Sequence, residues 1–213
     1  MNTDTLIHNL ALQCRPIKPI GHPVKRFLIW AISSILFIAA GVLFFRPAPD
    51  FSVVSNPSFI FPAMAMLCIS LICTLSAFVL SVPNKDAQRF DIVPITIVIF
   101  WFGLMIYMLA SADLDDSRSG DICILRMIVL AIVPGAILFY MLRRAAPMQS
   151  GLIGLLAALG SLAFAEIGLQ FICHKSTLGS HMLVWHFMPL SVLALLGVVI
   201  GRWTFRWTGG GNR

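Results

Sequence analysis

The sequence predicts an all-α membrane protein, a bundle of six transmembrane helices with both termini in the cytoplasm. The first observation is composition: 59% of the 213 residues are apolar, 11% are charged and the mean hydropathy is +0.92. A soluble domain cannot bury so much apolar surface, so we expect the chain to lie in a lipid bilayer. The second is a series of apolar runs about 20 residues long, which is the length that crosses the hydrocarbon core. The third is the alternation of basic residues between connections.

Six apolar runs qualify as membrane spans. In chain order they are Phe27 to Phe45, Phe59 to Val82, Ile92 to Ala110, Ile122 to Leu142, Leu152 to Ile172 and Leu183 to Gly201. The first run follows a charged, proline-containing start and has no small-residue cleavage site after it, so it is predicted to be a retained span and not a signal peptide. The chain then divides into an N-terminal segment (1–26), a transmembrane domain (27–201) and a tail (202–213).

The distribution of Lys and Arg predicts the orientation, because cytoplasmic connections carry an excess of basic residues. One set of connections and both ends of the chain hold Arg15, Lys18, Lys25, Arg26, Lys85, Arg89, Arg143, Arg144, Arg202, Arg206 and Arg213. The alternate connections hold only Arg46, Arg118 and Lys175. Both termini are therefore predicted to be cytoplasmic. Topology explains the net charge of +6, so no direct binding of nucleic acid is expected.

Two cysteines lie at the ends of predicted spans on the outer side. Cys123 opens the fourth span and Cys173 closes the fifth, and in a bacterial cell both would face the oxidising periplasm. Three histidines accompany them: His174 follows Cys173 directly, and His181 and His186 lie one turn apart at the start of the sixth span.

Thiol and imidazole groups are ligands for Zn, Cu or Cd, and a thiol pair can instead form a disulfide or react with oxidants. The cluster therefore predicts a sensing pair, Cys123 and Cys173, with His174, His181 and His186 as further candidate metal ligands. The alternative is ordinary packing by small buried residues and interfacial histidines. The five cysteines contain no C-x-x-C pair, and Cys14, Cys68 and Cys73 are interpreted as packing residues.

Two charged residues lie inside apolar runs. A charge there is energetically unfavourable unless it is paired or faces a cavity. Arg126 is one turn from Cys123, and Glu166 is two turns from Cys173 on the same helix face as Gln170. These positions predict an Arg126–Glu166 ion pair beneath the thiols. The alternative is an Arg126 that reaches the interface and an independent, protonated Glu166.

The fifth span carries small residues at alternating steps of three and four, namely Gly151, Gly154, Ala158, Ser161, Ala165 and Gly168. Such a stripe lets neighbouring helices approach closely. The fifth span is therefore predicted to be the central helix of the bundle.

Residues 4 to 13 are predicted to form a short amphipathic helix in the N-terminal segment. Thr3 and Asp4 offer an N-cap, and Leu6, Ile7 and Leu10 fall at helical spacing. An isolated helix of this length is marginal in water, so it is expected to fold on the membrane surface or on a protein partner. Asp4, Leu6, Ile7 and Leu10 are the candidate partner-binding residues.

The motifs of common membrane enzymes are missing from the sequence. It contains no G-x-S-x-G, no H-E-x-x-H and no Walker motif, so no catalytic activity and no obligatory cofactor are expected. A small-ion or metal transporter that uses the same outer Cys and His ligands is the alternative function. Transporter sites are usually built on repeats and broken helices, and no internal repeat is evident here.

The combination of these features resembles the NrsF family of negative regulators of sigma F. The resemblance covers about residues 1 to 207. It is carried by the N-terminal run Met1 to Ile7, the prolines before the first span, the six predicted spans, Cys123, Cys173, His181 and His186. The resemblance implies an inner-membrane anti-sigma factor that holds an extracytoplasmic-function sigma factor and releases it under heavy-metal or oxidative stress. It also implies that Cys123 and Cys173 are the sensing cysteines and that residues 1–26 bind the sigma factor.

Overall fold

A computed structural model describes residues 3–13, 20–47, 51–82, 92–111, 120–145, 147, 149–173 and 179–205. All regular elements in these ranges are helical. They are α1 (Thr3–Gln13), α2 (Pro23–Phe45), a 3₁₀ helix (Phe51–Ser55), α3 (Pro57–Leu80), α4 (Ile92–Ser111), α5 (Asp121–Arg143), α6 (Ser150–Ile172), α7 (Gly179–Met182), a π-helical turn (Leu183–Phe187) and α8 (Met188–Thr204).

Within the described residues, five helical stretches are long and apolar enough to cross a membrane. They are Pro23–Phe45, Phe59–Leu80, Asp121–Arg143, Ser150–Ile172 and Ser180–Thr204, where the last runs through α7, the π turn and α8. These five correspond to five of the six predicted spans. The remaining one, α4, offers a shorter apolar stretch, Ile92–Gly103, in its described part.

Helix α6 is the centre of the bundle, as the stripe of small residues predicted. It packs against α8, α3, α5 and α2. Its apolar stretch is far more buried than that of the other four helices that could cross a membrane. Glycines make the closest approach possible. A Cβ on Gly154 would lie 2.3 Å from the carbonyl oxygen of Gly197 and 2.6 Å from the Cα of Gly201 in α8. The backbones of α6 and α8 therefore touch directly at this crossing.

We expect Gly154→Val to destabilise the bundle because the added side chain has backbone, not a movable side chain, in its way. Overpacking of this kind lowers stability by about 1–3 kcal/mol. Thermal unfolding of the purified protein in detergent measures the effect. Gly103→Val is the matched control, since a Cβ there meets nothing within 4 Å. Equal melting temperatures for the two variants would show that the α6–α8 contact is not tight.

Two arginines fasten opposite ends of α2 to its neighbours. Arg26 donates from Nη1 to Ser81 Oγ at 3.4 Å and from Nη2 to the Met141 carbonyl, so it joins α2 to the ends of α3 and α5. At the other end, Arg46 Nη1 donates to the Phe171 carbonyl at 2.9 Å. The N-terminal segment leads into the Arg26 end of α2, and the Arg46 end contacts α6 two residues before Cys173.

The predicted N-terminal helix is present as α1, which begins one residue earlier than expected and ends at Gln13. Asp4, Leu6 and Ile7 are all exposed, with 41% of Leu6 and 59% of Ile7 accessible. The side chain of Leu10 lies outside the described part of the chain. Exposed apolar side chains on a short helix are available for a partner or a membrane surface.

Candidate functional site

Four residues that are distant in sequence meet at one end of the bundle. Cys123 lies in the first turn of α5, Cys173 follows the last residue of α6, His181 is on α7 and His186 is in the π turn. Their ligand atoms all lie within 4.8 Å of one another, and all four side chains are buried. The predicted gathering of Cys123, Cys173, His181 and His186 is thus present. His174 lies outside the described residues.

The two thiols are in direct contact without a covalent bond. Cys123 Sγ and Cys173 Sγ are 3.6 Å apart, whereas the atoms of a disulfide are separated by about 2.0 Å. His181 Nε2 lies 3.4 Å from Cys173 Sγ and 3.9 Å from Cys123 Sγ. One imidazole nitrogen therefore faces both sulfurs.

The π-helical turn explains why His181 and His186 share one face. In an α-helix, residues five apart point about 140° away from each other. Here the Met188 N–H bonds to the Leu183 carbonyl, which closes a turn of five residues and returns the chain to the same side. The rings lie 5.4 Å apart in an edge-to-face arrangement. π-helical turns are rare in proteins, and those that occur are often found at functional sites.

Pro189 supplies a physical reason for this turn. Its ring has no N–H to offer the Trp185 carbonyl and would clash with it in a regular α-helix. Widening the helix in the preceding turn relieves the conflict. A proline in a span indicates a possible kink from sequence alone, but it does not identify a π turn as the outcome.

Glu166 is bonded to His186, and the predicted Arg126–Glu166 ion pair is wrong. His186 Nδ1 lies 2.7 Å from Glu166 Oε1, and both side chains are completely buried. Arg126 instead places its guanidinium over the Phe45 ring, 5.6 Å from the centroid, and remains partly exposed. The physical reason is that Arg126 stays partly exposed while its guanidinium stacks on an aromatic ring. It therefore avoids the large desolvation penalty of a fully buried ion pair.

Several buried polar atoms at this end of the bundle have no hydrogen-bond partner among the described residues. They are His181 Nδ1, His186 Nε2, Glu166 Oε2 and both amide atoms of Gln170. An unpartnered buried polar atom is destabilising by about 1–3 kcal/mol. Two of these atoms belong to the imidazoles of the cluster, which marks the site as built for something other than packing.

Gly120 is a site residue that sequence reasoning missed. A Cβ at this position would lie 2.4 Å from Trp185 Cγ and 2.8 Å from His181 Cε1. The absence of a side chain lets His181 and Trp185 approach the start of α5. The position before a helix was a visible signal in the sequence, but its contact with a residue some sixty positions later was not.

The fold and this cluster define a helical membrane protein with paired thiols and imidazoles at one end of its bundle. The chain belongs to the NrsF family, described as negative regulators of sigma F, whose family model matches residues 10–207. The match covers nearly the whole chain and confirms the resemblance drawn from the sequence. No curated protein and no solved structure matches it. The family description indicates a regulatory role with a sigma factor as partner.

Proposed function

We propose that this protein is a bacterial inner-membrane anti-sigma factor. It holds an extracytoplasmic-function sigma factor at the membrane and releases it when Cys123 and Cys173 react with a heavy metal or an oxidant. The observation that carries the proposal is the contact of two thiols that are not joined by a disulfide, 3.6 Å apart on separate helices, at one end of the bundle. Two such groups can be joined by a metal ion or by a disulfide, and either reaction changes how α5 and α6 are held together.

The proposed topology has six spans, with α4 as the shortest, and both termini in the cytoplasm. The excess of Lys and Arg at the ends of the chain and in alternate connections supports this orientation. It places Cys123 and Cys173 at the periplasmic end, where an external metal or oxidant arrives first. The Arg26 end of α2 and the N-terminal segment then lie on the cytoplasmic side, where a sigma factor is present.

The part proposed to hold the sigma factor is the N-terminal segment, residues 1–26. The connections that carry Lys85 and Arg143 are proposed to contribute to the same binding surface. Exposed Leu6 and Ile7 on α1 offer apolar contact to a sigma factor, and Asp4 offers a charge at the start of the helix. A helix this short is stabilised mainly by what it binds. When the sigma factor dissociates, α1 therefore loses the contacts that stabilise its helical structure.

The coupling between the two ends is proposed to be a shift of α5, α6 and α8 against each other when the thiols are joined. Arg46 supports a route to the N-terminal segment, because it ties α2 to the Phe171 carbonyl close to Cys173. A nearly complete switch requires a ligand that favours one state by about 5.5 kcal/mol. A disulfide or thiolate–metal bond is strong enough to supply that difference.

A capture experiment tests this function. The full-length protein and a variant that lacks residues 1–20, which keeps α2 and its Arg26 contacts, are purified in detergent from the native host, and bound proteins are identified. We expect the full-length protein to retain a sigma factor and the shortened variant to lose it. Absence of a sigma factor from the full-length sample, together with altered metal accumulation in cells without the protein, would contradict the proposal and favour the transporter.

A further inference from the structure

We propose that Cys123, Cys173, His181 and His186 form a complete four-ligand site for a divalent ion of the zinc class, Zn²⁺ or Cd²⁺, and that Glu166 is the positioning residue for His186. This inference rests on the proposed function and names the ligand and the full ligand set of the same cluster. All four side chains are buried and their ligand atoms lie within 4.8 Å of one another. Glu166 is completely buried next to His186.

The distances between ligand atoms match a tetrahedral site. Zn–S bonds of about 2.3 Å and Zn–N bonds of about 2.0–2.1 Å place two sulfurs about 3.8 Å apart and a sulfur and a nitrogen about 3.6 Å apart. The observed Sγ–Sγ distance is 3.6 Å. The two Sγ–Nε2 distances to His181 are 3.4 and 3.9 Å. Three edges of the tetrahedron are thus already formed, and a side-chain movement of about 1 Å brings in the fourth ligand.

The second histidine is prepared for the ion by its carboxylate partner. In the neutral tautomer that donates its Nδ1–H to Glu166 Oε1, 2.7 Å away, the other ring nitrogen carries the free electron pair. That atom, His186 Nε2, is buried and has no hydrogen-bond partner among the described residues. A carboxylate on the far nitrogen is the usual means of orienting a metal-bound histidine and raising its basicity.

The charge balance suits a buried site. On binding, the ion gives up its water ligands, the two thiols release their protons to solvent, and two metal–sulfur and two metal–nitrogen bonds form. The two thiolates cancel the two positive charges of the ion, and the imidazoles are neutral, so the ion and its four ligands carry no net charge. The Glu166 carboxylate keeps its own charge and accepts the hydrogen bond from His186 Nδ1–H throughout. Cancelling the charge of the ion inside the site limits the desolvation penalty that an uncompensated buried ion would carry.

A disulfide between Cys123 and Cys173 would use only half of this arrangement. It would leave the unpartnered nitrogen of His186 buried, and it would give Glu166 no chemical role. A four-ligand metal site employs the thiols, both imidazoles and the carboxylate together. For this reason the geometry favours metal binding over disulfide formation as the reaction of the reduced cluster.

The test uses the reduced full-length protein in detergent, titrated with Co²⁺ as a spectroscopic probe and then with Zn²⁺ as competitor. We expect one equivalent of Co²⁺ to give tetrahedral ligand-field bands and a sulfur-to-cobalt charge-transfer band, and Zn²⁺ to displace it. Serine at Cys123 or Cys173 should remove the charge-transfer band or reduce it severely. Cys73→Ser is the matched control, because Cys73 is a free buried thiol on α3 that is not part of the cluster. Absence of these bands in the unaltered protein would overturn the inference.

The role of Glu166 is tested with Glu166→Gln, which keeps the shape of the side chain. We expect affinity for Zn²⁺ to fall about 10- to 100-fold, the usual effect of removing such a partner, while the cobalt bands keep their tetrahedral form. In a His186→Ala background the same change should have no further effect, because Glu166 acts through His186. Ser161→Ala, a buried polar change on the same helix, is the control. An equal loss of affinity with and without His186 would overturn the positioning role.

The metal site and the anti-sigma function fail in different ways. Sigma-factor capture and cysteine-dependent release by an oxidant, without any cobalt or zinc binding, would overturn the metal site and leave the anti-sigma function standing. Cobalt and zinc binding with the expected bands, but no sigma factor captured, would support the metal site and overturn the anti-sigma function.

Discussion

Serine in place of Cys123 or Cys173 is expected to lock the sigma factor to the membrane under heavy-metal or oxidative stress. Each substitution removes one of the two sulfurs that meet at 3.6 Å, so neither a disulfide nor a two-thiolate metal bond can form. Without a disulfide or a metal bond between the two thiols, the conformation that releases the sigma factor is not stabilised. Stress-induced transcription of the regulated genes should therefore fall at least about tenfold. A reporter fused to a sigma-dependent promoter measures the effect.

Cys73→Ser is the matched control for this experiment, because it removes a buried thiol from α3 and leaves the cluster complete. We expect the control strain to respond like the unaltered strain. Basal transcription should stay low in all four strains, since repression in the proposed mechanism requires only the folded protein and its N-terminal segment. A normal stress response in both cluster variants would show that the signal enters elsewhere.

Replacing Leu6 and Ile7 together with Asp is expected to release the sigma factor without any stress. Both side chains are exposed on α1, with 41% and 59% of their surface accessible, so the change does not disturb a core. Each loses apolar contact worth about 1.5–3 kcal/mol where it is fully buried in a complex. Affinity for the sigma factor should therefore fall by about 100-fold or more, and basal transcription from the reporter should rise accordingly.

Thr5→Asp combined with His8→Asp is the control for the α1 variant, because it introduces the same two negative charges on the same helix at exposed polar positions. We expect it to keep most of the repression. Binding of a peptide of residues 1–20 to lipid vesicles, with and without Asp at Leu6 and Ile7, separates the two candidate partners of α1. If the substitutions abolish vesicle binding of the peptide but the full-length variant still captures the sigma factor, α1 is a membrane anchor and the sigma factor is held by another part of the protein.

Hydropathy and residue types were sufficient to predict the helices and the grouping at one end of the bundle. Apolar runs of membrane length define where helices begin and end, so Cys123 and Cys173 had to lie near span ends. The small residues of α6 predicted its central position for a similar reason, since only small side chains allow the contact at Gly154. The short apolar stretch of α4 shows the limit of length alone as a criterion.

The partners of the buried charges were beyond reach from sequence, because they depend on how neighbouring helices are rotated. Glu166 shares a helix face with Gln170 and Cys173, which correctly places it near the thiols. Which residue faces it from another helix is decided by the π turn before Pro189, and that turn brings His186 to within 2.7 Å. Arg126 was close to Cys123 in sequence, yet its side chain reaches Phe45 on α2.

Release of the sigma factor from the purified complex is the most direct measurement of the central claim. The full-length protein is reconstituted with its sigma factor in lipid nanodiscs, and fluorescence anisotropy of the labelled sigma factor is followed while Cd²⁺ or an oxidant is added. We expect the unaltered complex to dissociate and the complex with serine at Cys123 and Cys173 to remain intact. Retention of the sigma factor by the unaltered protein, or equal release from both complexes, would contradict a thiol-controlled anti-sigma factor.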